Sequence, residues 1–307
     1  MTGTGETHKD CAVALAVVVP SVNGWPDLDR CLGALERSGA GIPIEILVPE
    51  RCGSEVRAAV ARRYPLARVL FVSSTTSIPQ MRAIAMLQAA APTVVVIEDH
   101  IIVPDGWVQA MIDARSDTVR VVGGGLVNAA TTSRVDWAAW LCEYNHLAAP
   151  MPAGAVDAIH GNHTAYDRQL LVELRDVVTS GRWEDALHSA IRERGVVLWS
   201  RPDIVAGHQK HYTVREYSTQ RFLYSRAYAA MRTQDETSAR RFAYGLVAFA
   251  LPPLLLVRIV SRVWRGGLYR RHLLPSLPLL ALFVCAWGAG EIAGAWTGDG
   301  GALAKVC

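Results

Sequence analysis

Three consecutive residues, Glu98-Asp99-His100, end an apolar run that begins at Thr93. Charged side chains are rarely buried without partners, so this set directly after a predicted buried strand needs an explanation. One explanation is a strand that reaches the surface and ends in solvent. The other is a metal site, because carboxylate and imidazole groups bind Mg²⁺ or Mn²⁺, which neutralise a diphosphate leaving group. The three residues alone leave both interpretations open.

A second acidic set, Glu184-Asp185, follows Trp183 at the predicted start of a helix in which Trp183, Leu187 and Ile191 recur every four positions. Acids in a first helical turn are favoured by the helix dipole, which is the simpler interpretation. The functional interpretation is that one carboxylate is a general base, which removes a proton from an attacking hydroxyl.

Basic and aromatic residues are concentrated between positions 208 and 226, and Arg221 and Arg226 could bind phosphate there. Neighbouring aromatic side chains could stack on a sugar ring, whereas a juxtamembrane helix with basic and aromatic anchors explains the same composition. The segment Gly161-Asn162-His163 is a polar stretch between apolar neighbours, and it either contacts substrate or only turns the chain.

The first half of the chain predicts the scaffold that positions these residues. Apolar runs at 12–19, 44–48, 69–72, 94–97 and 119–122 alternate with helical patterns that begin near Pro26, Pro79 and Asp105. This alternation predicts an α/β fold with a mostly parallel sheet covered on both faces. Ligands bind outside the carboxyl ends of such strands, which is where Glu98-Asp99-His100 are expected. Residues 123–158 are expected to be less regular.

Composition excludes several classes of protein. The net charge of +3 over 307 residues is too small to indicate nucleic-acid binding. Cysteines are scattered without a CxxC pair, which excludes the usual zinc-knuckle spacings and indicates a reducing compartment. The polar residues 1–11 predict a flexible N-terminal tail before the first core strand rather than a signal peptide.

The C-terminal part changes character. Residues 242–257 and 273–290 contain no charged side chain, and arginines flank both runs. Since a helix needs about 20 apolar residues to cross a bilayer, residues 240–296 predict a membrane-associated region. The first run, with Pro252-Pro253, is expected to lie in the interface or to re-enter, and the segment 273–295 to cross, because two crossings would place arginines outside. Two full spans are the alternative. Residues 297–307 are expected to form a C-terminal tail.

The order of these motifs resembles that of family 2 glycosyltransferases. AVVVPSVNGWPDLDRCLGAL resembles the family's first strand and its Pro-x-x-Asn turn, and SIPQMRAIAMLQAAAPTVVVIEDHIIVPDGW resembles its DXD-type segment. GGGLVN is similar to the next strand, and GNHTAYDRQLL to the acceptor-side segment. WEDALHSAIRERG resembles the Glu-Asp helix, and QRFLYSRAYAAMR a later Gln-x-x-Arg-like region. The resemblance covers roughly residues 12–232.

The resemblance implies a GT-A fold at 12–235: a Rossmann-like nucleotide-binding half merged with an acceptor half, with a mixed, mostly parallel sheet and a C-terminal hydrophobic helical hairpin after it. It also implies inverting hexosyl transfer from a nucleotide-sugar donor of the UDP- or GDP-sugar type. Asp185 would be the base, with Glu184 supporting it. Asp99 and His100 would hold a divalent metal, Mn²⁺ or Mg²⁺, on the diphosphate.

Further roles follow from the same resemblance. The nucleotide-sugar pocket would comprise Pro20, Ser21, Asn23, Glu50, Arg82 and Glu98. The acceptor would contact Gly161, Asn162, His163 and Trp183, and phosphate or sugar contacts would come from His208, Gln220, Arg221 and Tyr224. The chain departs from the family at Glu98-Asp99-His100, where relatives carry aspartates, and at Pro49-Glu50-Arg51, where relatives carry an acidic pair. These departures bear on metal preference and on the choice of nucleotide.

The implied acceptor is lipid-linked or belongs to the cell envelope. Because nucleotide sugars are cytosolic, the catalytic domain is expected on the cytoplasmic side of the cell membrane. One alternative is a non-catalytic GT-A-like binding or scaffold protein. Another is a sugar-phosphate nucleotidyltransferase of similar topology, although the Gly-rich N-terminal loop expected of that class is absent from the sequence.

Overall fold

A computed structural model describes residues 13–306, so the predicted tail at 1–11 and the first residue of the 12–19 run lie outside the described residues. The strands are β1 (Leu15–Val18), β2 (Ile44–Glu50), β3 (Ala67–Phe71), β4 (Thr93–Ile97), β5 (Ile101–Ile102), β6 (Val121–Asn128), β7 (Gly154–Val156), β8 (His163–Asp167) and β9 (Leu198–His208).

The helices are α1 (Asp27–Ser38), α2 (Ser54–Arg63), α3 (Ile78–Gln88), α4 (Trp107–Ala114), α5 (Arg134–Glu143), α6 (Arg168–Glu173), α7 (Arg175–Val178), α8 (Glu184–Glu193), α9 (Val214–Thr233), α10 (Ser238–Val247), α11 (Leu251–Gly266) and α12 (Arg270–Thr297). Short 3-10 turns occupy Ala248–Ala250 and Leu303–Lys305. The predicted helices that begin near Pro26, Pro79, Asp105 and Trp183 are therefore present.

The described strands form one nine-stranded sheet in the order β3-β2-β1-β4-β8-β6-β9-β5, with β7 added on β9. The four strands β3-β2-β1-β4 run parallel, and β6 runs parallel to β9. β8 lies antiparallel between β4 and β6. Most paired residues belong to parallel ladders, which confirms the predicted mixed, mostly parallel α/β sheet.

The central strand β1 shows why the sheet is buried on both faces. Its residues are all buried and alternate between two hydrophobic clusters. Leu15 and Val17 pack in the cluster that contains α1 and α4, whereas Ala16 and Val18 pack in the cluster that contains α3, α6 and α8. Because successive side chains of a strand point to opposite faces, helices on both sides require an unbroken apolar run.

Residues 123–158 are more regular than expected, because β6 continues through its glycines to Asn128 and α5 follows. A Cβ on Gly124 would overlap the backbone of Ile204 in β9, and one on Gly125 would lie 2.7 Å from the Cα of Ala149. Glycine lowers strand propensity, so the sequence pattern ended the strand at residue 122. In the fold, glycine is required by the close approach of neighbouring backbones, and the expectation of an irregular segment is wrong.

Two long apolar helical segments follow α9. α10, a 3-10 turn and α11 form a continuous stretch, Ser238–Gly266, and α12 forms the second. By length and composition both could cross a membrane. They differ in burial, because the apolar window of Ser238–Gly266 is 17% buried and that of α12 is 39% buried. The first segment therefore presents more apolar surface than α12.

α12 packs lengthwise against α9. The rings of Phe283 and Tyr217 meet edge to face with centroids 4.6 Å apart, and Glu291 accepts a hydrogen bond from Arg232 at 2.5 Å. A Cβ on Gly290 would overlap the α9 backbone, so glycine permits the close approach of the two helices. These contacts join α12 to the α/β domain along much of its length.

Candidate functional site

Asp99 connects the end of β4 to the loop after β1. Its fully buried carboxylate accepts hydrogen bonds from the backbone N–H groups of Val22 and Asn23, both at 2.8 Å, and from the Asn23 side-chain amide at 2.6 Å. Burial alone would raise the pKa of Asp99, but hydrogen bonding and the charge of His100 outweigh it, and the pKa lies below its ordinary value. Asp99 thus organises the end of the strand.

Glu98, His100 and His208 converge beside it, and each offers one ligand atom within 4.8 Å of the others. The Nε2 atoms of His100 and His208 are 2.9 Å apart, and His100 Nε2 lies 3.3 Å from a Glu98 oxygen. Because β9 ends at His208, sheet pairing brings this imidazole to the end of β4. One carboxylate and two imidazoles form a donor set that suits a transition-metal ion.

The surroundings of this cluster shift the pKa values of its two imidazoles in opposite directions. Burial lowers the pKa of His100, but its contacts with Asp99 and Glu98 outweigh burial and raise the pKa to about 9. Burial and the charge of His100 hold the pKa of His208 well below its usual value. These opposite shifts favour a proton on His100 over a proton on His208.

Arg82 joins the strand end to the start of α8. This buried guanidinium donates to Glu98 Oε1 at 3.1 Å and to Glu184 Oε2 at 2.8 Å. Two carboxylates that are far apart in the sequence are thus held by one cation. The arrangement places the two acidic sets of the sequence on the same part of the molecule.

At the start of α8, Asp185 is exposed, whereas Glu184 is paired with Arg82. Burial of part of the Asp185 side chain, together with the charge of Glu184, raises the pKa of Asp185 above its ordinary value. A Cβ on Gly161 would overlap the Glu184 side chain, so glycine at this position makes room for it. Trp183 precedes the helix, and its ring stacks on that of Tyr224 with centroids 4.8 Å apart.

A cavity of about 530 Å³ unites these groups. Of the residues predicted from the sequence, its wall contains Arg82, Glu98, Gly161, Asn162, Trp183, Glu184, Asp185, Arg221 and Tyr224. Asn162 donates to Glu98 Oε2 at 2.7 Å, which connects the acceptor-side segment to the strand end. Asp185, whose pKa is raised, and Glu98, one residue of the metal-type cluster, therefore line the same cavity.

A smaller recess adjoins this cavity, since both are lined by Glu98, Arg221 and Tyr224. Pro20, His100 and Gln220 are among the other residues of the recess. Arg221 forms a 3.2 Å ion pair with Glu143 and lies over the Trp287 ring at 4.2 Å. Arg221 is thus held as a fixed charge between the two spaces.

The remaining predicted nucleotide contacts lie at the ends of β1 and β2. Ser21 and Glu50 are buried and form a parallel bridge between the two chain segments. Glu50 accepts hydrogen bonds from the backbone N–H of Gly53 at 2.8 Å and from Arg57 at 3.0 Å. Asn23 contacts both Asp99 and His100, so it lies against the metal-type cluster.

His163 lies away from the cavity. It is a fully buried residue of β8 whose Nε2 accepts a hydrogen bond from Trp107 Nε1 at 2.8 Å. Burial lowers the pKa of His163 to about 4, so the ring is neutral. Its place in the strand alternation turns it toward the helix α4 side, whereas its neighbours Gly161 and Asn162 line the cavity.

The C-terminal residues pack at the rim of the same region. Arg51 donates to the carbonyl oxygens of Thr76 at 2.7 Å and Ala304 at 3.2 Å, and also to that of Val306. Val306 is fully buried in a cluster with Ile78 and Trp183. The predicted tail at 297–307 is therefore, up to residue 306, packed against the domain.

Two features of the site were not found from the sequence. His208 was assigned to phosphate or sugar contact, yet it completes the cluster of Glu98 and His100. Arg258 and Arg262 of α11 line the cavity and carried no predicted role. Their four-residue spacing on an apolar helix was a signal, because it places both charges on one face.

No family model matches this chain, and no curated protein matches it in sequence. The chain does match a solved structure in fold: the mannosyltransferase PcManGT from Pyrobaculum calidifontis, in complex with GDP-mannose and Mn²⁺. The TM-score is 0.55 at 17% sequence identity, and the match covers 93% of this chain and 88% of the mannosyltransferase chain. The likeness shows that this chain shares the fold of that mannosyltransferase, which confirms the predicted fold class.

Proposed function

We propose that this chain is an inverting glycosyltransferase of the family 2 type, which moves a hexosyl group from a nucleotide sugar to a hydroxyl of a lipid-linked or cell-envelope acceptor. The observation that supports the proposal most is the cavity that Glu98 and Asp185 both line. One end of a donor and one acceptor hydroxyl must meet in such a space. Arg82 fixes the two acidic sets relative to each other.

The donor is proposed to be a nucleoside diphosphate sugar, and the GDP-mannose in the structural neighbour makes a GDP-sugar the first candidate. Pro20, Ser21, Asn23 and Glu50 lie at the ends of β1 and β2, where an α/β sheet binds its ligand. The diphosphate would then reach Arg82 and the cluster at the end of β4.

A divalent metal fits the cluster, because Glu98, His100 and His208 place three ligand atoms within 4.8 Å of one another. Asp99 lies 3.1 Å from the other ring nitrogen of His100, which is the position of a carboxylate that orients a ligating imidazole. We therefore assign Asp99 to orienting His100 rather than to direct ligation. When bound, Mn²⁺ or Mg²⁺ would stabilise negative charge on the departing diphosphate.

The reaction forms a bond between C1 of the sugar and the acceptor oxygen and breaks the bond between C1 and the diphosphate oxygen. Asp185 accepts the proton of the acceptor hydroxyl, and the nucleoside diphosphate leaves with the electron pair of the broken bond. Attack and departure occur on opposite faces of C1, so the configuration inverts. Glu184 is paired with Arg82 and contributes by raising the pKa of Asp185.

The acceptor is proposed to enter along Gly161, Asn162 and Trp183, with Arg221 and Tyr224 beside it. Trp183 and Tyr224 form a stacked aromatic pair, a surface on which a sugar ring packs well. His163 is buried against Trp107, and we assign it to the core rather than to acceptor binding.

We propose association with the cytoplasmic face of the cell membrane through Ser238–Gly266. The large apolar side chains exposed on this stretch are Phe242, Tyr244, Leu246, Val247, Phe249, Leu254, Val257 and Trp264. An apolar surface of this extent is typical of a membrane or protein interaction site. Because α12 packs on α9, the proposal places Ser238–Gly266 in the interface and keeps α12 with the domain.

The test is incubation of the purified chain with a panel of UDP- and GDP-sugars, with and without Mn²⁺. A glycosyltransferase should hydrolyse one donor slowly even without acceptor, and only with metal. A nucleotidyltransferase would instead consume nucleoside triphosphate, and a binding or scaffold protein would bind a donor without turnover. Either result would contradict the proposal.

A further inference from the structure

The side of α11 that faces away from the core combines apolar side chains with charged ones. Leu254 and Val257 are 62% and 63% exposed, whereas Leu255, Arg258 and Arg262 line the cavity. A surface helix normally buries its apolar face and exposes its charges. α11 does bury apolar residues, but it also leaves large apolar side chains exposed, and exposed Arg258 and partly buried Arg262 stand at the cavity wall.

Arg258 and Arg262 are one helical turn apart, a spacing at which like charges repel. Within residues 13–306 neither guanidinium has a carboxylate partner. The carboxylates of the cavity that form ion pairs do so with Arg82 and Arg221. The side chain of Arg262 contacts the Asn145 oxygen at 3.4 Å. Two adjacent cations without a counter-charge at a cavity wall favour the binding of an anion.

The surroundings of His146 show the same positive field. Burial lowers the pKa of His146, and the charges of Arg262 and Arg258 lower it further. Asp157 and Asp185 also line the cavity, but in the described part of the chain no ion pair joins either of them to the two arginines. The positive charge in this part of the cavity is therefore left for a ligand.

We propose that Arg258 and Arg262 bind the phosphate group of a lipid acceptor. The inference rests on the proposed function, since a hydroxyl of the same headgroup must reach Asp185. Guanidinium groups bind phosphate through paired, charge-assisted hydrogen bonds. The apolar chains of the lipid lie against the outward face of Ser238–Gly266.

A lipid accounts for both features of α11, its exposed apolar side chains and its unpaired arginines. A free anion accounts only for the arginines. Ile259, Val284 and Trp287 line the cavity beside the arginines, so its wall offers apolar as well as charged groups to a ligand. Exposed Leu254 and Val257 remain in water if the ligand is a free phosphate. An amphiphile with a phosphate headgroup covers the apolar face and supplies the counter-charge.

The probe is dioctanoyl phosphatidylinositol, which carries a phosphate, ring hydroxyls and apolar chains in one molecule. Its binding to the full chain in a non-ionic detergent is measured by isothermal titration calorimetry. Three comparison ligands each lack part of this molecule. Dioctanoylglycerol lacks the phosphate, and glycerophosphoinositol lacks the apolar chains. Inorganic phosphate lacks both the chains and the ring hydroxyls. We expect the complete lipid to bind more tightly than any of the three.

The double variant Arg258→Ala/Arg262→Ala is expected to weaken binding of phosphatidylinositol by roughly tenfold or more, because charge-assisted hydrogen bonds are lost. Arg265→Ala/Arg271→Ala removes the same charge from exposed arginines and should change it by less than about twofold. Arg258→Lys/Arg262→Lys keeps the charge but loses the paired hydrogen bonds, so its affinity should lie between those of the unchanged chain and the alanine variant. This variant separates loss of charge from loss of folding.

Unchanged lipid binding in Arg258→Ala/Arg262→Ala would overturn the inference. Equal binding of glycerophosphoinositol or inorganic phosphate would assign the site to a free anion and exclude a lipid as its ligand. Equal binding of dioctanoylglycerol would show that the phosphate does not contribute to binding. Donor hydrolysis, measured separately, reports on the proposed function, so a chain that hydrolyses donor but fails to bind the lipid contradicts this inference alone.

Discussion

The charges at the end of β4 and those on α11 are organised in opposite ways. Arg82 is buried and pairs with Glu98 and Glu184, so this part of the cavity is complete before any ligand binds. Arg258 and Arg262 line the same cavity with no carboxylate partner among residues 13–306. The first arrangement is preorganised for chemistry, and the second gains its counter-charge only from a ligand.

The comparison distinguishes the consequences of substitution. Removal of a buried partner leaves an uncompensated charge and affects folding as well as activity. Removal of an unpaired cation relieves repulsion and affects only the ligand that needs it. The largest effects of substitution are therefore expected at the preorganised end of the cavity.

Asp185→Asn is expected to reduce sugar transfer by about 10²–10⁴-fold, because an amide cannot accept the proton of the acceptor hydroxyl. Donor affinity should stay unchanged, since Asp185 lies on the acceptor side of the proposed site. Initial transfer rates and equilibrium binding of the donor check the two parts. Asp203→Asn, in the exposed Arg201–Asp203 pair, is the matched control and should transfer normally. Normal turnover by Asp185→Asn would refute its assignment as the base.

Arg82→Met is expected to lower the free energy of unfolding by about 3 kcal/mol, because Glu98 and Glu184 lose their shared cation. Urea denaturation followed by tryptophan fluorescence measures this change. Arg201→Ala breaks an exposed ion pair and should cost no more than about 1 kcal/mol. Equal effects of the two substitutions would show that Arg82 is not a structural link between the strand end and α8.

Asp99→Asn is expected to weaken Mn²⁺ binding by about 10–100-fold, as for a carboxylate that orients a ligating imidazole. His208→Ala should weaken it more, because it removes a proposed ligand. Calorimetric titration of the full chain with MnCl₂ measures both. His211→Ala, at a half-exposed histidine outside the cluster, is the control. A larger loss in Asp99→Asn than in His208→Ala would reverse the assigned roles.

The rate of transfer should fall with decreasing pH through a pKa above that of an ordinary aspartate, because protonated Asp185 cannot act as a base. Glu184→Gln removes a neighbouring negative charge, so it should move this inflection to lower pH. The pH profile of kcat/KM measures the shift, which is the smallest effect in this series. An inflection that stays in place would exclude Glu184 as the cause of the raised pKa.

Much of the scaffold could be predicted from the sequence because it depends on local periodicity. Apolar runs marked the central strands, and Trp183, Leu187 and Ile191 marked the helix α8. The glycines of β6 were misinterpreted, because their requirement comes from Ile204 and Ala149, which approach only in the folded chain. Local propensity cannot report such a contact.

The site was predicted as a set of positions, but its atoms are arranged by long-range contacts. His208 is 108 residues from His100 in the sequence and 2.9 Å from it in space. Asp99 is adjacent to Glu98, yet it accepts hydrogen bonds from the β1 loop, whereas Glu98 faces the cavity. Successive side chains of an extended segment point in opposite directions, so neighbours in a motif take different roles.

The sequence by itself determined the α/β alternation, the position of Glu98-Asp99-His100 after a buried strand and the acidic start of α8, because each follows from local patterns of polarity. Only the tertiary structure decided that Arg82 joins the acidic sets, that His208 completes the metal-type cluster and that Arg258 faces the cavity. These outcomes depend on which distant segments pack together, and such packing is set by the whole core rather than by any one segment.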